Sequence, residues 1–201
     1  MQEISPLPAA FTTSQLSSVL SDIGVDAIKT GMLASADHIS AVVRSLTLHY
    51  PDPARRPAVV VDPVCAATSG HKLLPDDALA TLKALLLPLA TVVTPNVPEA
   101  ELLAGWEQGR ITSVEEMRAC CRVLGALGPD WVYLKGGHLP LDGSGGQGKV
   151  VADLLWEVAT GKEYLTERRW IDSKNTHGTG SVAQTPGADG RRVALSRGAK
   201  G

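Results

Sequence analysis

The fold is decided by the stretch Ala58-Val59-Val60-Val61-Asp62-Pro63. Its four leading residues are all apolar, and an Asp-Pro pair follows them at once. A strand that is apolar on both faces is typical of a parallel sheet, and a polar residue followed by proline marks the point where such a strand stops. The stretch therefore predicts a buried parallel strand with a polar turn at its carboxyl end.

The chain on both sides of this stretch alternates between strand and helix patterns. Apolar residues at three- and four-residue steps predict helices over 14–21, 36–49, 75–86, 98–104 and 113–124. Runs of β-branched and aromatic residues predict further strands over 26–31, 90–94 and 131–134, and two more over 150–156 and 164–171 around a turn at Gly161. Such alternation predicts an α/β fold, with a mainly parallel sheet and helices on both faces.

A polar or glycine-bearing turn follows each of the four predicted parallel strands. These turns are Thr30-Gly31-Met32, Asp62-Pro63-Val64, Thr94-Pro95-Asn96 and Lys135-Gly136-Gly137. Ligands of parallel sheets bind beyond the carboxyl ends of the strands. The turns therefore predict a binding site along one edge of the sheet.

Individual residues of these turns allow two interpretations each. Asn96 and Glu99 lie one helical turn apart and would either hold a hydrated Mg²⁺ or cap the helix. Asp62 would hold metal or water, or only end its strand. Met32 and Cys65 would line an apolar pocket or belong to the core.

A second candidate site is the loop Asn175-Thr176-His177-Gly178-Thr179-Gly180. Glycines on both sides of a threonine allow consecutive N–H groups to point at one anion, and such a turn at the start of a helix binds phosphate. His177 would be a base or a ligand, or would only hold the tight loop in position, which is the interpretation we favour. The sequence contains neither G-x-x-x-x-G-K-[ST] nor an early G-x-G-x-x-G, which excludes a P-loop enzyme and leaves a dinucleotide-binding oxidoreductase without support.

Composition limits the class of protein further. The chain has 201 residues and a formal charge of −2, so it is long enough for one domain and has no excess of basic residues for general nucleic-acid binding. Its longest apolar run, over 84–93, is too short to span a bilayer. Three cysteines, an odd number without framework spacing, favour a reducing compartment, and we expect a cytoplasmic protein. Basic residues outnumber acidic ones in 181–201, which we interpret as a solvated tail rather than as a contact with RNA or membrane.

Taken together, five strings make a more specific pattern. They are Lys29-Thr30-Gly31-Met32-Leu33, Val61-Asp62-Pro63-Val64 with Thr68-Ser69-Gly70, Thr94-Pro95-Asn96 with Pro98-Glu99-Ala100, Leu134-Lys135-Gly136-Gly137-His138, and the loop over 175–180. In this order and spacing they resemble hydroxymethylpyrimidine/phosphomethylpyrimidine kinases of thiamine biosynthesis, in the ribokinase-like superfamily. The resemblance covers about residues 2–180. It implies a three-layer domain that uses ATP and Mg²⁺ to phosphorylate hydroxymethylpyrimidine and then its monophosphate.

The resemblance also implies a role for particular residues. ATP would be bound by Thr94, Asn96, Glu99, Lys135, Gly136, Gly137 and Thr176. Asn96 and Glu99 would in addition hold Mg²⁺ through water. Catalysis would depend on an anion hole and a following hydroxyl, formed by Gly178, Thr179, Gly180 and Ser181. Met32 and Val64 would border the pyrimidine.

The sequence departs from the family pattern in three places. The family's opening segment, rich in Gly, Ser and Asp, does not precede the first predicted helix. Ser181 stands where the family has a cysteine as the base, and loss of a general base typically costs about 10²- to 10⁴-fold in rate. After Gly180 the helical pattern is broken by Pro186-Gly187.

These departures lead to three expectations. Residues 1–180 should form a ribokinase-like domain that is incomplete at both ends, and 181–201 a divergent, disordered tail. Exposed sheet edges would favour a homodimer. The alternatives to an active pyrimidine kinase are a non-catalytic remnant with weak or no nucleotide binding, and another kinase of the superfamily such as a pyridoxal kinase.

Overall fold

The computed structural model of the chain describes residues 7–65, 73–137, 141–142 and 149–169. These residues form a sheet of seven strands: β1 (Ala27–Thr30), β2 (Ala58–Val61), β3 (Val92–Val93), β4 (Trp131–Lys135), β5 (Leu141–Asp142), β6 (Lys149–Glu157) and β7 (Glu163–Arg169). Five α-helices are described with it: α1 (Ala9–Asp22), α2 (Ala36–His49), α3 (Asp76–Thr81), α4 (Val97–Ala104) and α5 (Val114–Gly125). The predicted α/β class is confirmed.

The sheet has a parallel part and an antiparallel part. Strands β1 to β4 are parallel and lie side by side in chain order, with Ile28 opposite Val59 and Val93 opposite Val132. Strand β6 then pairs antiparallel with β4, β5 and β7. The hairpin predicted around Gly161 is confirmed, and that glycine has a φ of 70°, which suits a residue without a Cβ.

The helices connecting the parallel strands pack on one face of the sheet. Right-handed crossovers between successive neighbours place their helices on the same side, and the strand side chains agree. Val59 and Val61 are buried in one core with Ile39 and Leu46 of α2. On the second face, Val60, Val92 and Trp131 occupy paired positions across β2, β3 and β4.

The boundaries of the elements confirm two predictions and refine others. The structure has α2 and β2 over the predicted ranges. Helix α1 begins at Ala9, earlier than the predicted residue 14, and its serine and threonine hydroxyls donate to carbonyls four residues earlier. These bonds satisfy polar side chains inside a helix that the apolar pattern alone does not show.

The helix predicted over 75–86 is α-helical only as far as Thr81. A π-turn (Leu82–Leu86) and a 3₁₀ turn (Leu87–Leu89) follow α3. Pro88 has no N–H and disfavours the α conformation of the residue before it, so the backbone changes its winding ahead of it. The strand predicted over 90–94 is shorter too, since β3 comprises only Val92–Val93, although the Thr94 N–H still donates to the carbonyl of Val61 at 2.9 Å.

Candidate active site

The four turns predicted at the carboxyl ends of β1 to β4 lie along one edge of the sheet. The Asp62 N–H donates to the Thr30 carbonyl at 3.0 Å, which joins the first two turns. The Lys135 N–H donates to the Pro95 carbonyl at 2.8 Å, and Asn96 forms a parallel bridge with Lys135. The predicted common edge is therefore confirmed.

The Asp62 carboxylate lies at the centre of this edge. Lys29 Nζ donates to its Oδ2 at 3.1 Å, and Lys135 Nζ donates to its Oδ1 at the same distance. The Thr94 hydroxyl donates to Oδ1 as well, at 3.3 Å. Burial raises the pKa of Asp62, but the ammonium groups of Lys135 and Lys29 outweigh this and hold the pKa below its ordinary value. Asp62 is therefore ionised at neutral pH and is paired with two cations.

Asn96 and Glu99 form the capped start of α4. The Glu99 N–H donates to Asn96 Oδ1, and the Asn96 N–H donates to Glu99 Oε2, each at 2.9 Å. This is a capping box with asparagine as the N-cap, so the helix-cap interpretation of these two residues is confirmed. The cap neither requires nor prevents metal binding by these two residues.

Glu99 is also nearly inaccessible to solvent. Its exposed fraction is 3 %. Burial raises the pKa of Glu99 to about 7; the Asn96 N–H and Lys135 oppose that rise, and Asp62 adds to it. A carboxyl group that changes its charge near neutral pH therefore lies beside the ion pairs of Asp62.

The two glycines after Lys135 differ in their surroundings. Gly136 is buried, and a Cβ built on it would overlap the carbonyl oxygen of Ala152 in β6. Its N–H donates to Asp153 Oδ1 at 3.0 Å, while the Tyr133 hydroxyl donates to Asp153 Oδ2 at 3.2 Å. Gly137 is exposed and has open space where its Cβ would be. Packing against β6 thus explains Gly136, whereas only Gly137 leaves room for a ligand.

Met32 and Val64, the predicted pyrimidine contacts, are both partly buried near the ends of β1 and β2. A narrow pocket in this region is lined by Gly31, Leu33, Pro63, Val64, Leu74 and Leu82. Met32 lies between two lining residues of that pocket without lining it. Cys65 is fully buried in the core, so the core interpretation of this residue is confirmed.

The predicted anion hole and its flanking residues lie outside the described residues. These are Thr176, Gly178, Thr179, Gly180 and Ser181, with His177 among them. The predicted domain boundary at residue 180 and the tail over 181–201 lie outside as well. Their roles therefore stay predictions.

Three residues that the sequence did not single out take part in this architecture. Lys29 is two residues before the glycine of its turn, and Asp153 lies directly across from Lys135 in the β4–β6 pair. Glu101 of α4 is 1 % exposed and accepts the N–H groups of Gly109 and Ile111. Lys29 and Asp153 act through residues 33 and 17 positions away, and Glu101 through residues 8 and 10 positions away, so no standard helix or strand spacing indicates them.

The described part of the chain lacks two features that would indicate other classes of site. No group of three histidine, cysteine, aspartate or glutamate side chains is placed to hold a metal ion there. No helix there has both the length and the apolar character needed to cross a membrane.

The fold is shared with solved small-molecule kinases, and it places the chain in the ribokinase-like class. Bacillus subtilis pyridoxal kinase, solved as an ADP complex, superposes with a TM-score of 0.71 and 29 % identity, over 88 % of this chain and 59 % of that one. Within the class, the chain belongs to the phosphomethylpyrimidine kinase family, whose sequence model matches residues 1–185.

Relatives in the curated proteins agree with this family. The chain is 45 % identical over 177 residues to the thiamine biosynthesis bifunctional protein of Geobacter sulfurreducens, a match that covers 88 % of this chain and 33 % of that protein. It is 39 % identical over 189 residues to the hydroxymethylpyrimidine/phosphomethylpyrimidine kinase of Mycobacterium tuberculosis, covering 92 % of this chain and 62 % of the relative. The chain thus spans less than two thirds of the length of these relatives.

Proposed function

We propose that the chain binds ATP and transfers its γ-phosphoryl group to hydroxymethylpyrimidine and then to the resulting monophosphate. The observation that supports this best is the charged cluster at the sheet edge, where Lys135 and Asp62 pair at 3.1 Å beside the buried Glu99. Membership of the phosphomethylpyrimidine kinase family supports the choice of substrate.

Phosphoryl transfer needs positioned charge more than covalent help from the protein. Lys135, held in place by Asp62, supplies a cation for the nucleotide phosphates. The open backbone at Gly137 supplies an approach for the nucleotide. Thr94, Asn96 and Thr176 complete the proposed ATP site. Backbone N–H groups of Gly178, Thr179 and Gly180 would stabilise the charge on the transferred group, with the Ser181 hydroxyl beside them.

The residues present suit a magnesium ion. Mg²⁺ prefers carboxylate oxygens and keeps several waters, and Asp62 and Glu99 offer two carboxylates at one edge. Asp62 raises the pKa of Glu99, so a cation near both groups would favour the ionised form of Glu99. We propose Asp62 and Glu99 as its protein ligands, with Asn96 acting through water. When bound, the ion would neutralise charge on the phosphates of ATP.

We assign substrate selection to the carboxyl ends of β1 and β2, at the other end of this sheet edge from Lys135. Val64 lines the narrow apolar pocket there, and Met32 borders it in sequence. The pocket has a volume of only about 10 Å³, room for about one water, so a pyrimidine ring would bind over its apolar mouth, with the hydroxymethyl group toward the phosphates. Pyridoxal is the competing substrate, because a pyridoxal kinase shares the fold.

Turnover of both substrates by the purified chain tests the proposal. We expect ATP- and Mg²⁺-dependent formation of both pyrimidine phosphates, measured by mass spectrometry, and a lower kcat/KM for pyridoxal. A higher kcat/KM for pyridoxal would assign the site to that vitamin instead. Nucleotide binding without turnover of either compound would favour the non-catalytic alternative.

We further propose a cytoplasmic homodimer. Cys65, Cys120 and Cys121 form no disulfide among the described residues, which suits a reducing compartment. Within the described residues β1 pairs only with β2, and Phe11 and Ile23 of the neighbouring α1 region are exposed apolar side chains. Sedimentation velocity of the purified chain tests self-association, and a single species with the mass of one chain would contradict it.

A further inference from the structure

The two lysines of the site are bound to opposite oxygens of one carboxylate. Among the described residues, Lys135 and Thr94 contact Oδ1 of Asp62, whereas Lys29 contacts Oδ2. Lys135 comes from β4, on the side of Asn96 and Glu99, while Lys29 comes from β1 at the far side of β2. Asp62 therefore separates a cation on the nucleotide side from a cation on the other side.

The second cation is much the more accessible of the two. The side chain of Lys29 is 62 % exposed, against 28 % for Lys135. An exposed ion pair contributes little to stability, so Lys29 can leave Asp62 for another anion at small cost. Lys135 would still hold Asp62 in its ionised form after this exchange.

Lys29 lies at the sheet edge on the side of Asp62 away from Lys135 and β4. The backbone runs directly from Lys29 through Thr30 to Gly31 and Met32. Gly31 lines the narrow pocket together with Val64, and nothing lies within 4 Å of where its Cβ would be. Lys29 is thus a cation at the same sheet edge as Gly31 and Val64, on the β1 side of Asp62.

We propose that Lys29 binds the phosphate of a phosphomonoester acceptor and so serves the second phosphorylation specifically. This inference rests on the proposed function, because it assigns a residue to one of its two steps. The first acceptor is a neutral alcohol and offers no anion to Lys29. The second carries a phosphate, whose approach to ATP brings two polyanions together, and a cation between them offsets the repulsion.

The chemistry of the second step fits this division. A non-bridging oxygen of the monoester attacks the γ-phosphorus of ATP, and a new P–O bond forms. The bond from that phosphorus to the β–γ bridging oxygen breaks, and its electron pair leaves with ADP. The second pKa of a phosphomonoester is about 6, so the attacking oxygen is already deprotonated and this step needs charge compensation rather than a base.

The test compares both steps in Lys29→Gln, Lys29→Arg and a matched control. Lys162→Gln is the control, because Lys162 is an exposed lysine next to the Gly161 turn, at the opposite edge of the sheet. Each purified protein is assayed with ATP and Mg²⁺, once with hydroxymethylpyrimidine and once with its monophosphate. Binding of the monophosphate without nucleotide is measured by calorimetry in parallel.

We expect Lys29→Gln to lower kcat/KM for the monophosphate about 10- to 100-fold, the size of one charge-assisted hydrogen bond. The same variant should change kcat/KM for the alcohol by less than about threefold and should weaken binding of the monophosphate by a similar factor to the loss in its turnover. Lys29→Arg should retain most of the kcat/KM for the monophosphate and most of its binding, since it keeps the charge. Lys162→Gln should behave as the unaltered protein.

Several results would overturn the inference or the function separately. Equal losses for both acceptors, or no loss for either, would overturn the role of Lys29 while leaving the kinase function in place. An unaltered protein that binds the monophosphate through Lys29 but transfers no phosphoryl group would support the role of Lys29 and overturn the proposed activity. Neither binding nor turnover of the monophosphate would overturn both.

Discussion

Helix α4 carries two glutamates that are buried almost equally but belong to different regions of the molecule. Glu99, 3 % exposed, faces the edge of the sheet, and its charged neighbours across the sheet are Lys135 and Asp62. Glu101, 1 % exposed, holds the loop over 105–111, where it accepts the N–H of Ile111 at 2.7 Å and that of Gly109 at 3.0 Å. The second region, Glu101 with this loop, is called the loop anchor below.

The difference lies in the partners and not in the burial. One backbone N–H group donates to each oxygen of Glu101, and such charge-assisted bonds from fixed backbone groups stabilise the carboxylate. Glu99 accepts one backbone N–H from Asn96, and its charge depends on ionisable side chains and on pH. A buried carboxylate therefore marks a candidate site when its partners are side chains that can exchange for a ligand, and a structural anchor when they are backbone groups.

The largest expected effect comes from Lys135→Ala at the sheet edge. Losing a preorganised charge from a phosphoryl-transfer site should lower kcat by about 10²- to 10³-fold. The free energy of unfolding should change by less than about 1 kcal/mol, since Lys135 is partly exposed and Lys29 still pairs with Asp62. Steady-state kinetics and urea unfolding measure the two quantities. Unfolding at low urea would show that the edge is structural, like the loop anchor.

The opposite pattern is expected from Glu101→Ala in the loop anchor. The buried N–H of Ile111 and the partly buried N–H of Gly109 lose their acceptor, and the free energy of unfolding should fall by about 2 to 3 kcal/mol. Activity per folded molecule should remain within a few-fold of the original. Glu107→Ala is the control, because Glu107 is exposed on the same loop. A loss of kcat without a loss of stability would remove the distinction between the two regions.

A smaller effect, dependent on pH, is expected from Glu99→Gln. The folded pKa of Glu99 is raised to about 7 from 4.5, so its contribution to stability is complete below pH 4.5 and is lost as pH rises toward 7. The side chain introduced by Glu99→Gln cannot ionise. Between pH 5 and pH 8 the free energy of unfolding of this variant should therefore fall by about 1 to 3 kcal/mol less than that of the unaltered protein. Urea unfolding at these two pH values measures the difference.

The control for this prediction has the opposite sign. Hydrogen bonds from the N–H and hydroxyl of Thr112 lower the pKa of Glu116 at the start of α5, and the hydroxyl of Ser113 adds to the effect. Its contribution to stability is present above pH 4.5 and is lost as pH falls through the lowered pKa. Glu116→Gln should therefore alter the stability curve only in acid. Identical curves for the Glu99 variant and the unaltered protein would contradict a raised pKa at the site.

The smallest expected effect is that of Asp153→Ala. This change frees the Gly136 N–H and the Tyr133 hydroxyl, and a loosened turn after Lys135 should raise KM for ATP about 3- to 10-fold. Asp153→Asn should restore most of the loss, because an amide can still accept from Gly136. Tyr133→Phe removes only the hydroxyl bond and should leave KM unchanged. If Asp153→Ala and Tyr133→Phe raise KM for ATP equally, then Asp153 does not position the turn after Lys135.

Local patterns predicted those parts of the structure that depend on local forces. The spacing of Ile39, Val42 and Leu46 predicted α2 to the residue, and the apolar run at Ala58 predicted β2. Helix α2 is amphipathic and strand β2 is apolar on both faces, and a short window of sequence is enough to recognise either property. The π-turn before Pro88 depends on how a helix adapts to a missing N–H, and a hydrophobic period does not contain that information.

The site was predictable in its location but only in part in its contacts. The turns at the ends of the strands indicated the edge, because parallel strands align their carboxyl ends. The pairing of Lys29 with Asp62 joins residues 33 positions apart, and that of Asp153 with the Gly136 N–H joins residues 17 apart. Such pairs follow from the register of the sheet, which no local spacing specifies.

The division of the sheet into a parallel and an antiparallel part has a consequence for folding kinetics. Strands β6 and β7 adjoin in the chain and pair over seven residue positions, so their loop is short and closes early. Each parallel pair of β1 to β4 must wait for a crossover connection, and such distant contacts form slowly. Arg118 of α5, which contacts Glu163 of β7 at 2.8 Å, then ties a helix to the early hairpin. The edge that carries the candidate active site is thus expected to assemble last, on a scaffold that is already in place.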